Sequence, residues 1–232
     1  MEINCINDIS ETDAKLRQCD GIAMLAAVIG VAVRQLDPTR VLPSGPARFL
    51  LGIAWMLAAS MAILAGYAYA QAKTSLPWSK IIHVSNCKLI IRIITIAGLG
   101  ALLAVVVSAV NFGMRQLLPS EGCFNLVQYI KESDGLVCIR LLLSVVVCAP
   151  IFEEFFFRLA LPRWLQSRKI AAPSAAVVSA LLFSLSHGIW WGIPGLFLFG
   201  LALSYLCKKQ DILSCCCVHS VYNLLVAMLA LQ

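Results

Sequence analysis

Charge is scarce in this sequence. Only 13% of the 232 residues are Asp, Glu, Lys or Arg, while 60% are hydrophobic; an average soluble domain is about 25% charged. A soluble fold of this size cannot hide so much apolar side chain, because much of a small protein's surface must face water. Disorder and an ordinary cytosolic enzyme are thereby excluded. There is no Lys/Arg-rich run and no basic stretch interleaved with aromatics, so the formal net charge of +6 does not point to nucleic acid. It is better explained by bases in loops beside membrane spans.

Other absences narrow the class further. None of the ten cysteines has C-x-x-C spacing, and most lie in apolar runs: Cys138, Cys148, Cys207 and the triplet Cys215-Cys216-Cys217. They read as small packing residues at helix contacts rather than a disulfide framework. The triplet is unsuited to zinc, because adjacent residues point to different sides of a helix. Residues 1–20 lack the basic start and apolar stretch of a signal peptide and are expected to form a polar tail on the membrane surface. The terminal Ala230-Leu231-Gln232 has no lipidation motif. Internal repeats and low-complexity tracts are absent.

What is present is a series of seven apolar segments, at about 21–33, 47–70, 89–112, 136–166, 175–187, 192–207 and 212–231. The first is short for a span, which needs roughly 20 residues. The third holds one charge, Arg92, near enough to its end to snorkel. Turn signals separate the segments: Asp37-Pro38, Pro43-Ser44-Gly45-Pro46, Leu76-Pro77, Pro119-Ser120-Glu121-Gly122, Pro173 and Gly192-Ile193-Pro194-Gly195. The expected fold is all-α, a polytopic transmembrane helical bundle of about six to seven spans. If the N-terminus is inside, the inside loops hold Lys15, Arg17, Lys73, Lys80, Lys88, Arg92, Arg163, Arg168, Lys169, Lys208 and Lys209. The outside loops hold Arg34, Arg40, Arg48, Arg115 and Lys131, so the excess favours this orientation.

Almost every acid lies in the tail or a loop. The exceptions are the adjacent Glu153 and Glu154 in the fourth segment. A carboxylate at mid-span costs a few kcal/mol, roughly 2.5–3.5 for Asp, and marks a functional site by default. A structural reading covers part of this: Glu154 and Arg158 are four apart on one face and can form a buried ion pair. Glu153 lies about 100° around the helix and is left unexplained. Arg140, nearer the other end of the segment, reads as a snorkelling residue. Of three histidines, His83 falls in a basic loop, while His187 and His219 lie in apolar segments. Asn223 shares a helix face with His219 at i,i+4.

A depth estimate tests whether these residues meet. At about 1.5 Å per residue, Glu153 and His187 lie roughly 20 Å from the inside ends of their segments. His219 and Asn223 lie roughly 12–18 Å from theirs. All four fall in one layer near mid-membrane, provided the fourth segment stays helical past Pro162. A carboxylate, two imidazoles and a carboxamide suit hydrolysis: a desolvated Glu acts as general base toward water, and imidazole and amide N–H groups stabilise an oxyanion. Glu and His also bind Zn²⁺, though no His-Glu-x-x-His signature is present.

Three motifs carry a family likeness. Glu153-Glu154-Phe155-Phe156-Phe157-Arg158 matches E-E-x-x-x-R, Phe183-Ser184-Leu185-Ser186-His187 matches F-x-x-x-H, and His219-Ser220-Val221-Tyr222-Asn223 matches H-x-x-x-N. Their order on three apolar helices resembles the CPBP (CAAX protease and bacteriocin-processing, or Abi) intramembrane endopeptidases. The resemblance covers roughly 136–231. It implies a polar intramembrane cavity open to the cytoplasmic side, and a division into a polar tail 1–20, N-terminal transmembrane segments 21–135 and a CPBP-like catalytic core 136–232. It also implies that Glu153 and His187 activate water, that His219 and Asn223 stabilise the oxyanion, and that Glu154 and Arg158 support the first motif. A metal-free mechanism is favoured, so no cofactor is expected. Zinc or another divalent metal, held by Glu153, His187 and His219, is the alternative.

The expected partners are the bilayer and a peptide or prenylated (lipidated) protein substrate. The expected location is a multi-pass position in a bacterial inner membrane, favoured by the compact length. Two other functions stay open: a non-proteolytic membrane scaffold or bacteriocin-immunity-type protein that keeps the motif set, and a proton-coupled transporter. The absence of paired broken helices in repeated halves argues against the transporter.

Overall fold

The computed structural model describes residues 2–35, 46–83, 89–118 and 135–231. The turn signals at Asp37-Pro38, Pro43-Ser44-Gly45 and Pro119-Ser120-Glu121-Gly122, and the loop bases Arg40, Lys88 and Lys131, lie outside these residues. The described chain is an all-α helical bundle. In chain order its helices are α1 (Glu2–Gln35), α2 (Pro46–Thr74), α3 (Trp78–Ile81), α4 (Leu89–Leu117), α5 (Gly135–Ser167), α6 (Ala172–Ser186), α7 (Ile193–Lys209) and α8 (Ile212–Leu231). The polar stretch ahead of Gly21 is helical and runs without a break into the first apolar segment. Among the described residues, α4, α5, α7 with its preceding turn, and α8 are each long and apolar enough to cross a membrane. Ile90, Val105 and Phe112 are among their most exposed side chains, an arrangement that water penalises and acyl chains do not.

α5 sits between two packed cores. Phe157, Leu161 and Leu165 face a core shared with α4, α6, α7 and α8, built around Val107, Phe183, Phe199, Leu203 and Val218. Phe155, Leu159 and Ala160 face a second core with α1 and α2, around Ala23, Ala27, Ile63 and Tyr67. α6 and α7 approach closely at Gly200, where an added Cβ would lie 3.0 Å from the Ala180 Cβ. Small residues bring membrane helices together in this way, since dispersion rather than water exclusion must hold them.

Two prolines shape α5 without ending it. Pro150 and Pro162 have no N–H and would crowd the carbonyl four residues back in a regular α-helix. The helix widens instead. It is π-helical over Ser144–Cys148 and Phe155–Ala160, directly before each proline. Ala149 N–H bonds to Ser144 O and Leu161 N–H to Phe156 O, each an i→i−5 bond. The helix therefore continues through Pro162 to Ser167, the condition on which the common depth of Glu153 and His187 depended. α6 is shorter, at 15 residues. It stops because Gly188 takes a left-handed φ of +66° and its N–H returns to Leu185 O, a helix-ending device that favours glycine. His187 is thus the last residue before that turn.

Two acids that the sequence reading left outside the spans prove to be buried tethers. The Asp211 side chain, fully buried, accepts from Arg92 at 2.8 Å and from the Ser214 N–H at 2.7 Å. Arg92, expected to reach the membrane surface unaided, instead ties α4 to the start of α8, because a neighbouring helix offers a carboxylate closer than water. Asp20 receives the Tyr67 hydroxyl at 3.1 Å and lies 3.6 Å from Arg163, joining α1, α2 and α5. Removing the cation from a buried pair is more damaging than neutralising the acid while keeping its acceptor oxygen. Arg92→Leu should therefore cost about 3 kcal/mol and Asp211→Asn about 1 kcal/mol, as read by thermal unfolding in detergent.

Candidate active site

Glu154 is the most constrained of the expected site residues. It lies on α5 at the junction with the second π turn, and its side chain has no exposed area. One carboxylate oxygen faces Arg158 Nε at 3.2 Å, and the other accepts from His219 Nδ1 at 2.8 Å. A carboxylate beside a guanidinium can only accept, so Nδ1 of His219 carries a proton. The remaining nitrogen, Nε2, is 3.8 Å from Glu153 Oε2. That is too long for a direct hydrogen bond, yet both atoms can hold one water. Glu153 is the less buried carboxylate, its side chain being 22% exposed. The adjacent pair thus divides its work. Glu154 orients His219, and Glu153 is left partly exposed.

Phe183, fully buried, is the hub around which the rest assembles. The Arg158 guanidinium lies over its ring face at 4.6 Å. This cation–π contact offsets the acceptors that Arg158 Nη1 and Nη2 lack among the described residues. The same ring meets His219 at 5.9 Å and His187 at 4.8 Å between centroids. His187 Nδ1 lies 2.8 Å from the Phe183 carbonyl oxygen. A carbonyl only accepts, so Nδ1 donates and Nε2 keeps the free lone pair. Phe199 and Tyr222 close over His219 at 4.9 and 6.5 Å. The first position of F-x-x-x-H, given no chemical role by the sequence, is therefore the platform for three polar side chains.

The structure brings Glu154 against both Arg158 and His219, sets Glu153 beside His219, and links His187 to them through Phe183. Asn223 is used differently from the sequence expectation. Its Nδ2 donates to the Val145 carbonyl at 2.7 Å. Among the described residues no three His, Cys, Asp or Glu side chains converge as a metal-binding group. The alternative ligand set of Glu153, His187 and His219 is not among such groups there. No chemical step is therefore derived through a metal ion. Toward the basic ends of α5 and α7 lies a cavity of about 540 Å³ lined in part by His83, Arg163, Ser204, Lys208 and Asp211.

With this geometry in view, residues 135–225 are found to match the family described as type II CAAX prenyl endopeptidase Rce1-like. Over that stretch the chain is similar to the Rce1-like family. No characterised protein and no solved structure gives a match. The matched stretch runs from α5 to within α8 and contains all seven fixed motif positions, while α1–α4 lie outside it. Together with the apolar helices, the match supports an integral membrane protein of CAAX protease-type hydrolase character, consistent with the CPBP group.

Inside the matched stretch the Glu154–Arg158 pair separates stability from chemistry. Arg158→Met leaves the Glu154 charge buried without its cation and should lower stability by about 3–5 kcal/mol. Adding Glu154→Gln should recover more than half of that in thermal unfolding.

Proposed function

We propose that this chain is an intramembrane endopeptidase that hydrolyses a peptide bond in a prenylated or otherwise membrane-associated protein substrate. The observation carrying the reading is the facing pair of Glu153 Oε2 and His219 Nε2 at 3.8 Å, with Glu153 partly exposed and His219 oriented by Glu154. The water oxygen attacks the substrate carbonyl carbon, and its proton passes to Glu153, assisted by the free Nε2 of His187. The oxyanion forms beside His219. With Nδ1 committed to Glu154, His219 donates from Nε2 when that nitrogen is also protonated, and the adjacent Glu154 balances the charge. Asn223 has a second N–H on Nδ2, beyond the one given to Val145 O, and presents it to the same oxygen. As the C–N bond breaks, Glu153 returns its proton to the leaving amine.

The mechanism is glutamate-dependent and requires no metal. The substrate enters from the cytoplasmic side of a bacterial inner membrane. In support, Arg163 and Lys208, both counted as inside bases, line one cavity, as the positive-inside rule requires of a cytoplasmic end. The family description names prenyl CAAX substrates, so a farnesylated C-terminal peptide is the first probe.

Glu153→Ala and His187→Ala should each lower cleavage of that peptide by at least about 100-fold, with the thermal midpoint close to wild type. Unchanged turnover in folded Glu153→Ala protein would overturn the endopeptidase reading. Stoichiometric zinc by elemental analysis, together with turnover lost to a chelator, would overturn its metal-free form.

A further inference from the structure

Both π turns of α5 run into a proline, and each leaves one carbonyl without a backbone donor. In an α-helix Val145 O would receive the N–H of Ala149, but that N–H goes to Ser144 O. The next donor along is residue 150, a proline with no N–H. The same logic repeats at the second turn. Leu161 N–H goes to Phe156 O, and residue 162 is a proline, so Phe157 O loses both donors.

Each carbonyl is served by a side chain from another helix. Asn223 Nδ2 on α8 donates to Val145 O at 2.7 Å, and the buried Ser179 hydroxyl on α6 donates to Phe157 O. A buried carbonyl left unpaired bears its full desolvation penalty, so each bond favours the widened turn. These bonds bracket Glu153 and Glu154. A π turn holds one residue more than an α turn, and so sets the angle between the two ends of the helix by about 100°. The C-terminal end is held by Arg163 at Asp20. Collapse of the second turn would swing Glu154 away from His219.

We propose that Ser179 and Asn223 are positioning residues. By satisfying Phe157 O and Val145 O they hold the two π turns of α5, and so hold Glu153 and Glu154 against His219. No motif includes Ser179. For Asn223 this duty is distinct from any contact with the reacting carbonyl.

The test exploits the prolines. Pro162→Ala supplies an N–H that can serve Phe157 O, which makes the Ser179 hydroxyl redundant; Pro150→Ala does the same for Asn223. Where cleavage is the readout, the test rests on the endopeptidase reading: Ser179→Ala should lower kcat at least about 10-fold with KM little changed, and Ser179→Ala with Pro162→Ala should recover most of it. A second readout is independent of proteolysis. The chain has only three histidines, so ¹⁵N-imidazole NMR can follow the His219 Nδ1–H bonded to Glu154. That signal should be lost in Ser179→Ala and in Asn223→Ala, and return in each proline double variant.

A His219 signal that survives both single substitutions, or that neither double variant restores, overturns the proposal. If Ser179→Ala alone does not fold, the Pro162→Ala background must tolerate it, and failure there counts equally against the proposal. Absence of cleavage even in wild type would sink the endopeptidase reading, while the imidazole signal would still decide this one.

Discussion

A carboxylate with no access to water must obtain its counter-charge from the fold, and Glu154 imposes that requirement on this bundle. Arg158 supplies the positive charge from the same helix, and His219 supplies an N–H from α8. Burying two charges is favourable only if geometry and hydrogen bonding repay the desolvation. The surrounding rings follow from that need: Phe183 lies under the guanidinium, and Phe199 and Tyr222 close over the imidazole. Fixing His219 in turn fixes where its free nitrogen points, which is toward Glu153. The chemistry proposed for the site is thus a consequence of how one buried charge is satisfied.

The bundle around the site is built to keep α5 irregular. A straight α-helix containing Pro150 and Pro162 would kink or break. The π turns absorb both prolines and keep one continuous helix from Gly135 to Ser167. Asp20 with Arg163 tethers α5 to α1, and Arg92 with Asp211 ties α4 to the start of α8. α1 and α2, which lie outside the Rce1-like match, contribute the second core against α5. They bear on the site mechanically, by holding the helix that carries both glutamates.

Much of the fold and the site was legible from one dimension. Low charge and long apolar runs specify membrane helices, because a bilayer leaves the backbone few other ways to satisfy its hydrogen bonds. α8 begins at the predicted residue, and the fourth segment was placed to within a residue at each end. Glu153 and Glu154 stood out because charge inside an apolar run is costly, and the Glu154–Arg158 pair followed from i,i+4 spacing within one helix. Asp20 and Asp211 escaped notice because each sits at a segment end, where an acid is ordinarily solvated. Only a neighbouring helix makes them buried.

What the sequence determined by itself was whatever depends on local spacing: helices, the ion pair on one helix face, and the face shared by His219 and Asn223. What only the tertiary structure decided was partnership between helices. It put His219 on Glu154 rather than on Glu153, Phe183 against both imidazoles, and the amide of Asn223 on a carbonyl that a proline had orphaned. The reason is geometric. Positions within a helix follow from 3.6 residues per turn, while the rotation of one helix against another depends on packing and on which buried groups still need a partner.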